Sequence, residues 1–149
     1  MTDEIGNPLD EYDITTVLHR RGIGVLGLAD GTDAYTIPVA FAYDEENNRC
    51  VFRFVMTDDS LKRTFLDGTD TASLTVFEWN GANDWNSIIA RGPISRIATD
   101  DLGRVAALFA AVGEEAALEI FNRPLSAYET VWYALDVTSM TGRGVNSPR

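Results

Sequence analysis

The sequence predicts a mainly β chain: a small antiparallel barrel of six strands with flanking helices. Three observations carry this reading. The chain has 149 residues, 45% of them hydrophobic, which suits one compact domain with a sizeable core. Its β-rich runs are separated by short turn-forming clusters such as Asp30-Gly31-Thr32-Asp33 and Asn80-Gly81-Ala82-Asn83-Asp84. Helical stretches interrupt only some of those runs, whereas a parallel βαβ sheet needs a crossover between every pair of strands.

The elements follow in order. Ile14, Val17 and Leu18 fall at helical spacing behind Asp13, and Arg20, Arg21 and Gly22 make a basic last turn followed by glycine, so a short helix is expected over 10–21. Strands are expected over 23–29 and 34–43, forming a hairpin, and over 50–56 after the polar turn 44–49. A short helix covers 60–66 and a fourth strand 72–79. The fifth strand, 85–98, contains Gly92-Pro93, which signals a bulge or kink and lets a long strand bend around a barrel. An alanine-rich helix is expected from Asp100 and Asp101 through Val112, a second over 114–121 stopped by Asn122-Arg123-Pro124, and a last strand over 130–140. Residues 1–9 and 144–149 read as loose ends of a single domain 1–149, the looseness starting at Gly142.

Composition narrows function. The formal net charge is -11, from 23 acidic against 12 basic residues, which excludes a nucleic-acid binder that must neutralise phosphates with clustered cations. Asp outnumbers Glu and Lys62 is the sole lysine, a pattern read as adaptation to concentrated salt, where repulsion is screened within about 3 Å at 1 M. One cysteine, Cys50, permits no intramolecular disulfide, and the single histidine, His19, leaves no Cys/His zinc set. A cytoplasmic protein is expected, with no membrane partner: residues 1–12 are acidic and polar, and no apolar run is long enough to span a bilayer.

Gly22-Ile23-Gly24-Val25-Leu26-Gly27 is a literal GxGxxG. A dinucleotide fingerprint follows a strand and opens a helix, and this one does the reverse, so strand glycines packed closely on a neighbour are expected. In the second strand Tyr35, Ile37, Val39, Phe41 and Tyr43 share one side, and Thr36, Pro38, Ala40 and Ala42 the other. The bare side suits a flat ring, another subunit or a covering helix, and Pro38 removes a ladder donor, which places it at an edge or interruption. Arg53 stands between Val51 and Val55, a position that calls for either an anion or a path to solvent. The same strand runs into Asp58-Asp59-Ser60-Leu61-Lys62-Arg63, where a helix begins. Its first amides and the cations Lys62, Arg63 and Arg53 can converge on a phosphate monoester; alternatively, Lys62 and Arg63 offset Asp58 and Asp59 on a solvated helix. Trp85 and Ser87 share one face of the fifth strand, as a ligand wall or as core and interface. No Ser-His-Asp or Cys-His set can be assembled, which favours a cofactor that brings its own chemistry.

The blocks Tyr35 to Asp44, Val51-Phe52-Arg53-Phe54, Asp59 to Arg63, Trp85 to Gly92 and Thr141-Gly142-Arg143 resemble, in order and spacing, the pyridoxamine 5'-phosphate oxidase-like FMN-binding split-barrel family, over residues 13–143. Within it the chain looks most like short acidic haloarchaeal flavin-binding proteins. The resemblance implies a homodimer of six-stranded antiparallel split barrels with FMN at the subunit interface. It places Thr36, Pro38 and Val39 along the isoalloxazine ring, Arg53, Ser60, Lys62 and Arg63 at the ribityl phosphate, and Trp85 with Ser87 further along the cofactor. The stretch Phe54-Val55-Met56 lacks the histidine of the nitroimidazole-resistance branch, and the basic residues that hold a pyridoxamine phosphate are not found. The implied function is an FMN-dependent oxidoreductase acting on an unknown small molecule or electron donor. A deazaflavin enzyme and a non-catalytic flavin carrier are the alternatives.

Overall fold

The computed structural model describes residues 5–57, 59–111 and 129–145. Its elements are β1 (Asn7–Pro8), α1 (Glu11–Arg20), β2 (Ile23–Asp30), β3 (Asp33–Ala40), β4 (Ala42–Asp44), β5 (Arg49–Met56), α2 (Leu61–Gly68), β6 (Thr71–Trp79), β7 (Trp85–Arg96), α3 (Leu102–Ala110), β8 (Glu129–Asp136) and β9 (Ser139–Val145). A single 3-10 turn, Thr99–Asp101, leads into α3. The predicted helix over 114–121 lies outside the described residues.

Helix α1 obeys its end chemistry. Asp10 caps α1 by accepting from the Asp13 amide at 2.8 Å, Glu11 and Asp13 sit in the positive first turn, and His19 and Arg20 in the negative last one. Its buried face is Ile14, Val17 and Leu18, the spacing read from the sequence.

The sheet is antiparallel, mainly β as expected, and is not closed: its order is β3-β2-β6-β7-β8-β5-β4, with β9 on β7 and β1 on β9. Nine strands are described, not six. The run 34–43 divides at Phe41, whose amide donates to Gly22 O at 2.9 Å, so β3 pairs with β2 while β4 pairs with β5. Unbroken alternation across Tyr35–Tyr43 hides that change of partner. The run 130–140 likewise divides at 137–138, where the Thr138 amide donates to Arg91 O and the chain reverses into β9. Residues 7–8 and 142–145 are therefore paired strand, in place of the loose ends expected there. Glycine made the tail look loose, but here it permits close approach: a Cβ on Gly144 would lie 2.7 Å from Trp85 O.

The split arises at two places. Beyond Val51, β5 pairs only with β8, and β3 ends the sheet with Pro38 on that edge, as its missing N–H requires. At Gly92-Pro93, β7 exchanges the partners β6 and β9 for β8. A Cβ on Gly92 would fall 1.7 Å from Asp136 O, so only glycine lets the strands cross there. The barrel interior holds Leu26, Phe41, Phe52, Leu74 and Ile88, each buried apolar side chain contributing about 1.5–3 kcal/mol. Helix α2 stoppers one end, with Leu66 in the core and Phe65 stacked on Tyr35 at 5.0 Å. Helix α3 covers the outer side of β5 and β8, packing Val105 and Phe109 on Val51 and Ala134. The GxGxxG glycines lie at and within β2, in the strand setting expected.

Candidate functional site

Strand register assembles an outer face from β3, β2, β6, β7 and β9. Pro38 pairs with Val25, Val25 with Thr75, Thr75 with Ile89 and Ile89 with Thr141, and the neighbouring row runs Thr36, Gly27, Ser73, Arg91. Further along, Phe77 pairs with Ser87 and Trp79 with Trp85. Thr36, Pro38, Trp85 and Ser87 therefore share this face. Large apolar side chains lie open on it: Trp79 is 63% exposed, Phe77 54%, Ile89 41% and Val25 37%. Such a cluster exceeds the scattered apolar residues normal for a surface. Val39 points the opposite way and is buried among Leu26, Phe41 and Leu74, so only its main chain is offered outward. Alternation would have found Phe77 and Trp79, since Ala72, Leu74 and Val76 fill the inward positions that precede them on β6.

The cationic end lies where β5 leaves the sheet. Ser60 holds the N-cap position of α2 in extended conformation, and its side chain makes no capping bond. The Arg63 amide donates to Ser60 O at 3.1 Å. Lys62 Nζ sits 5.5 Å from the centre of the Phe54 ring, a cation–π contact at the barrel mouth. Arg63 donates to Glu129 at 2.9 Å, and its Nε is buried without a hydrogen-bond partner among the described residues. Arg53 is half-buried, its guanidinium 5.6 Å from the Phe109 ring beneath α3 and opposite Trp132 in register. Phe54 and Phe109 lie on opposite faces of β5, so Arg53 and Lys62 flank the strand end from its two sides.

Two polar groupings escaped the sequence reading. Asp44, only 2% exposed, accepts from Arg49 at 2.9 Å, from Asn47 at 3.0 Å and from Arg104, while Arg49 also reaches Asp101. Burial would raise its carboxyl, but the bonds from Arg104, Asn47 and Arg49 outweigh that and hold it at about 2. This knot ties α3 to the β4–β5 turn. The second is the Tyr133 hydroxyl, which donates to Asp67 of α2 at 2.8 Å. Neither is periodic, and each joins positions far apart in the chain. Cys50 is fully buried and its thiol is pushed up to about 12 by burial, which makes it inert.

A family profile described as pyridoxamine 5'-phosphate oxidase matches residues 10–144, nearly the whole chain. The chain belongs to the pyridoxamine 5'-phosphate oxidase family. Solved structures share the fold at low identity. A FAD-binding protein from Mesorhizobium loti superposes with a TM-score of 0.76 at 14% identity, over 96% of this chain and 100% of its own. The FAD binding protein from Mycobacterium smegmatis gives 0.63 at 15%, over 95% and 100%. A flavocytochrome from Azotobacter vinelandii gives 0.64 at 15%, over 93% of this chain and 69% of its own. No curated protein matches. Family membership confirms the split barrel read from the sequence; a reaction does not follow from a fold. Among the described residues no helix is long and apolar enough to cross a membrane.

Proposed function

We propose that this chain is a flavin-binding protein, with FMN held at the interface of a homodimer, and that it serves as an oxidoreductase toward a small molecule. The observation that carries this reading is the start of α2. The only lysine of a strongly acidic chain stands there beside Arg63, behind an N-cap whose hydroxyl makes no capping bond, while Arg53 lies on the opposite face of β5, under α3, and does not join them. Helix amides and adjacent cations together suit a doubly charged phosphate monoester.

The remaining residues fit the rest of such a cofactor. Thr36 and Pro38 lie on an edge strand next to the open side of the barrel, where a flat ring meets small side chains. Ser87 is three strands away, roughly 14 Å at ordinary strand spacing, so a ring resting on Pro38 of one copy meets Trp85 and Ser87 of a second. The exposed Phe77, Trp79, Ile89 and Val25 would be covered by that second copy. Bound flavin would supply the hydride or electron transfer. The chain's own groups would grip the phosphate, hold the ring against β3 and keep water from one of its faces.

The test is an absorption spectrum of the purified protein at high salt, with mass spectrometry of whatever heat releases and light scattering for the assembly. FMN from a dimer supports the reading. FAD or a deazaflavin would change the cofactor, chemically reducible FMN inert toward every donor and acceptor would make the chain a carrier, and a colourless protein that takes up no flavin would refute it.

A further inference from the structure

The phosphate-gripping turn of α2 is held by a latch to β8. Arg63 and Asp67 are four residues apart on α2 and so lie on one face of the helix. Glu129 and Tyr133 are four apart on β8 and so project from the same side of the strand. The two elements are joined pairwise, Arg63 to Glu129 at 2.9 Å and Tyr133 to Asp67 at 2.8 Å. Tyr133 is 1% exposed, its ring packed edge-on against Phe54 at 5.8 Å, the ring that also carries Lys62. Arg96 of β7 also reaches Tyr133, its guanidinium 5.7 Å from the ring centroid and hydrogen-bonded to the hydroxyl. One buried ring thus contacts the helix, the strand that precedes it and the neighbouring strand, and every contact bears on where Lys62 and Arg63 stand.

We infer that Tyr133, acting through Asp67, is a positioning residue for the cofactor phosphate: it fixes the rotation and depth of α2 and touches no ligand itself. The inference rests on the reading of α2 as a phosphate site. An α2 that can rotate or lift misplaces its first-turn amides and Lys62 together, while Thr36 and Pro38, on the face of β3 opposite the Phe65–Tyr35 stack, are held by the β2–β3 ladder. The cost therefore falls on the phosphate alone, and riboflavin, which has the ring and no phosphate, separates the two effects.

The experiment compares Tyr133→Phe and Asp67→Ala with the wild-type chain, using FMN and riboflavin as probes and hydrogen exchange of the unliganded protein. Asp67 is exposed, so its variant folds even if the core change at Tyr133 does not. The expected result is faster exchange of α2 amides with β2 and β6 unchanged, and an FMN Kd raised about tenfold, roughly one lost charge-assisted contact, with the riboflavin Kd within twofold of wild type. Unchanged FMN affinity in both variants, beside a Lys62→Ala variant that loses FMN, would overturn the latch and leave the phosphate site standing. Wild-type protein with no preference for FMN over riboflavin would overturn the phosphate site, and the latch with it.

Discussion

Replacing Asp44 with Asn is expected to remove a definite, pH-dependent share of the stability. The side chain is buried and gathers Arg49, Arg104 and Asn47 onto one carboxylate, which holds its acidity at about 2 against an ordinary 3.8. A native value below the unfolded one means that the stabilisation is fully present above 3.8 and disappears as pH falls through about 2. At 1.36 kcal/mol per pKa unit the ionised form is worth about 2 kcal/mol at neutral pH. Asp44→Asn keeps the size and an acceptor and loses the charge, so its unfolding free energy at pH 7 should be lower by about 2 kcal/mol. Urea unfolding in constant high salt, followed by tryptophan fluorescence, measures this. The gap between the two proteins should narrow between pH 4 and pH 2. A gap absent at neutral pH, or one that stays constant into acid, would refute the assignment of Asp44 as the charged centre of the knot.

Other changes probe other parts of the account. Lys62→Glu should weaken FMN binding by about 2–4 kcal/mol through loss of a charge-assisted contact and added repulsion, and equal affinity in an isothermal titration would count against the site. Gly92→Ala places a methyl group 1.7 Å from a backbone oxygen, Asp136 O, and should cost about 3 kcal/mol or more in denaturant unfolding; a wild-type midpoint would show that the strand crossing yields. Phe77→Asp on the outer face should raise the dimer dissociation constant at least tenfold, about 1.4 kcal/mol, and sedimentation showing an unaltered dimer would place the interface elsewhere.

What the sequence discloses and what it hides divide along physical lines. Helix α1 was readable because apolar spacing and a basic last turn agree, and the two faces of β5 because alternation with Arg53 between valines admits one arrangement. The outward placement of Thr36, Pro38 and Ser87 follows from the same two-residue period. Val39 was assigned by resemblance, and the period itself turns its side chain into the core. Partner exchange was not readable: Phe41 continues the alternation of its strand while its amide turns to Gly22, so pattern cannot separate β3 from β4. Gly142 and Gly144 looked like a flexible end because nothing local says that α1 and β7 press against them. The Asp44 knot and the Tyr133–Asp67 bond join residues 60 and 66 positions apart, a distance at which one sequence alone carries no signal.

A crystal structure of the chain grown with FMN examines the central claim most directly. The account predicts two copies joined through the Phe77–Trp79 face, the phosphate within hydrogen-bonding distance of Lys62 and the first-turn amides of α2, and the ring lying on Thr36 and Pro38 of one copy against Trp85 and Ser87 of the other. Phosphate density away from α2, or crystals soaked in excess cofactor that hold none between two copies, would contradict it.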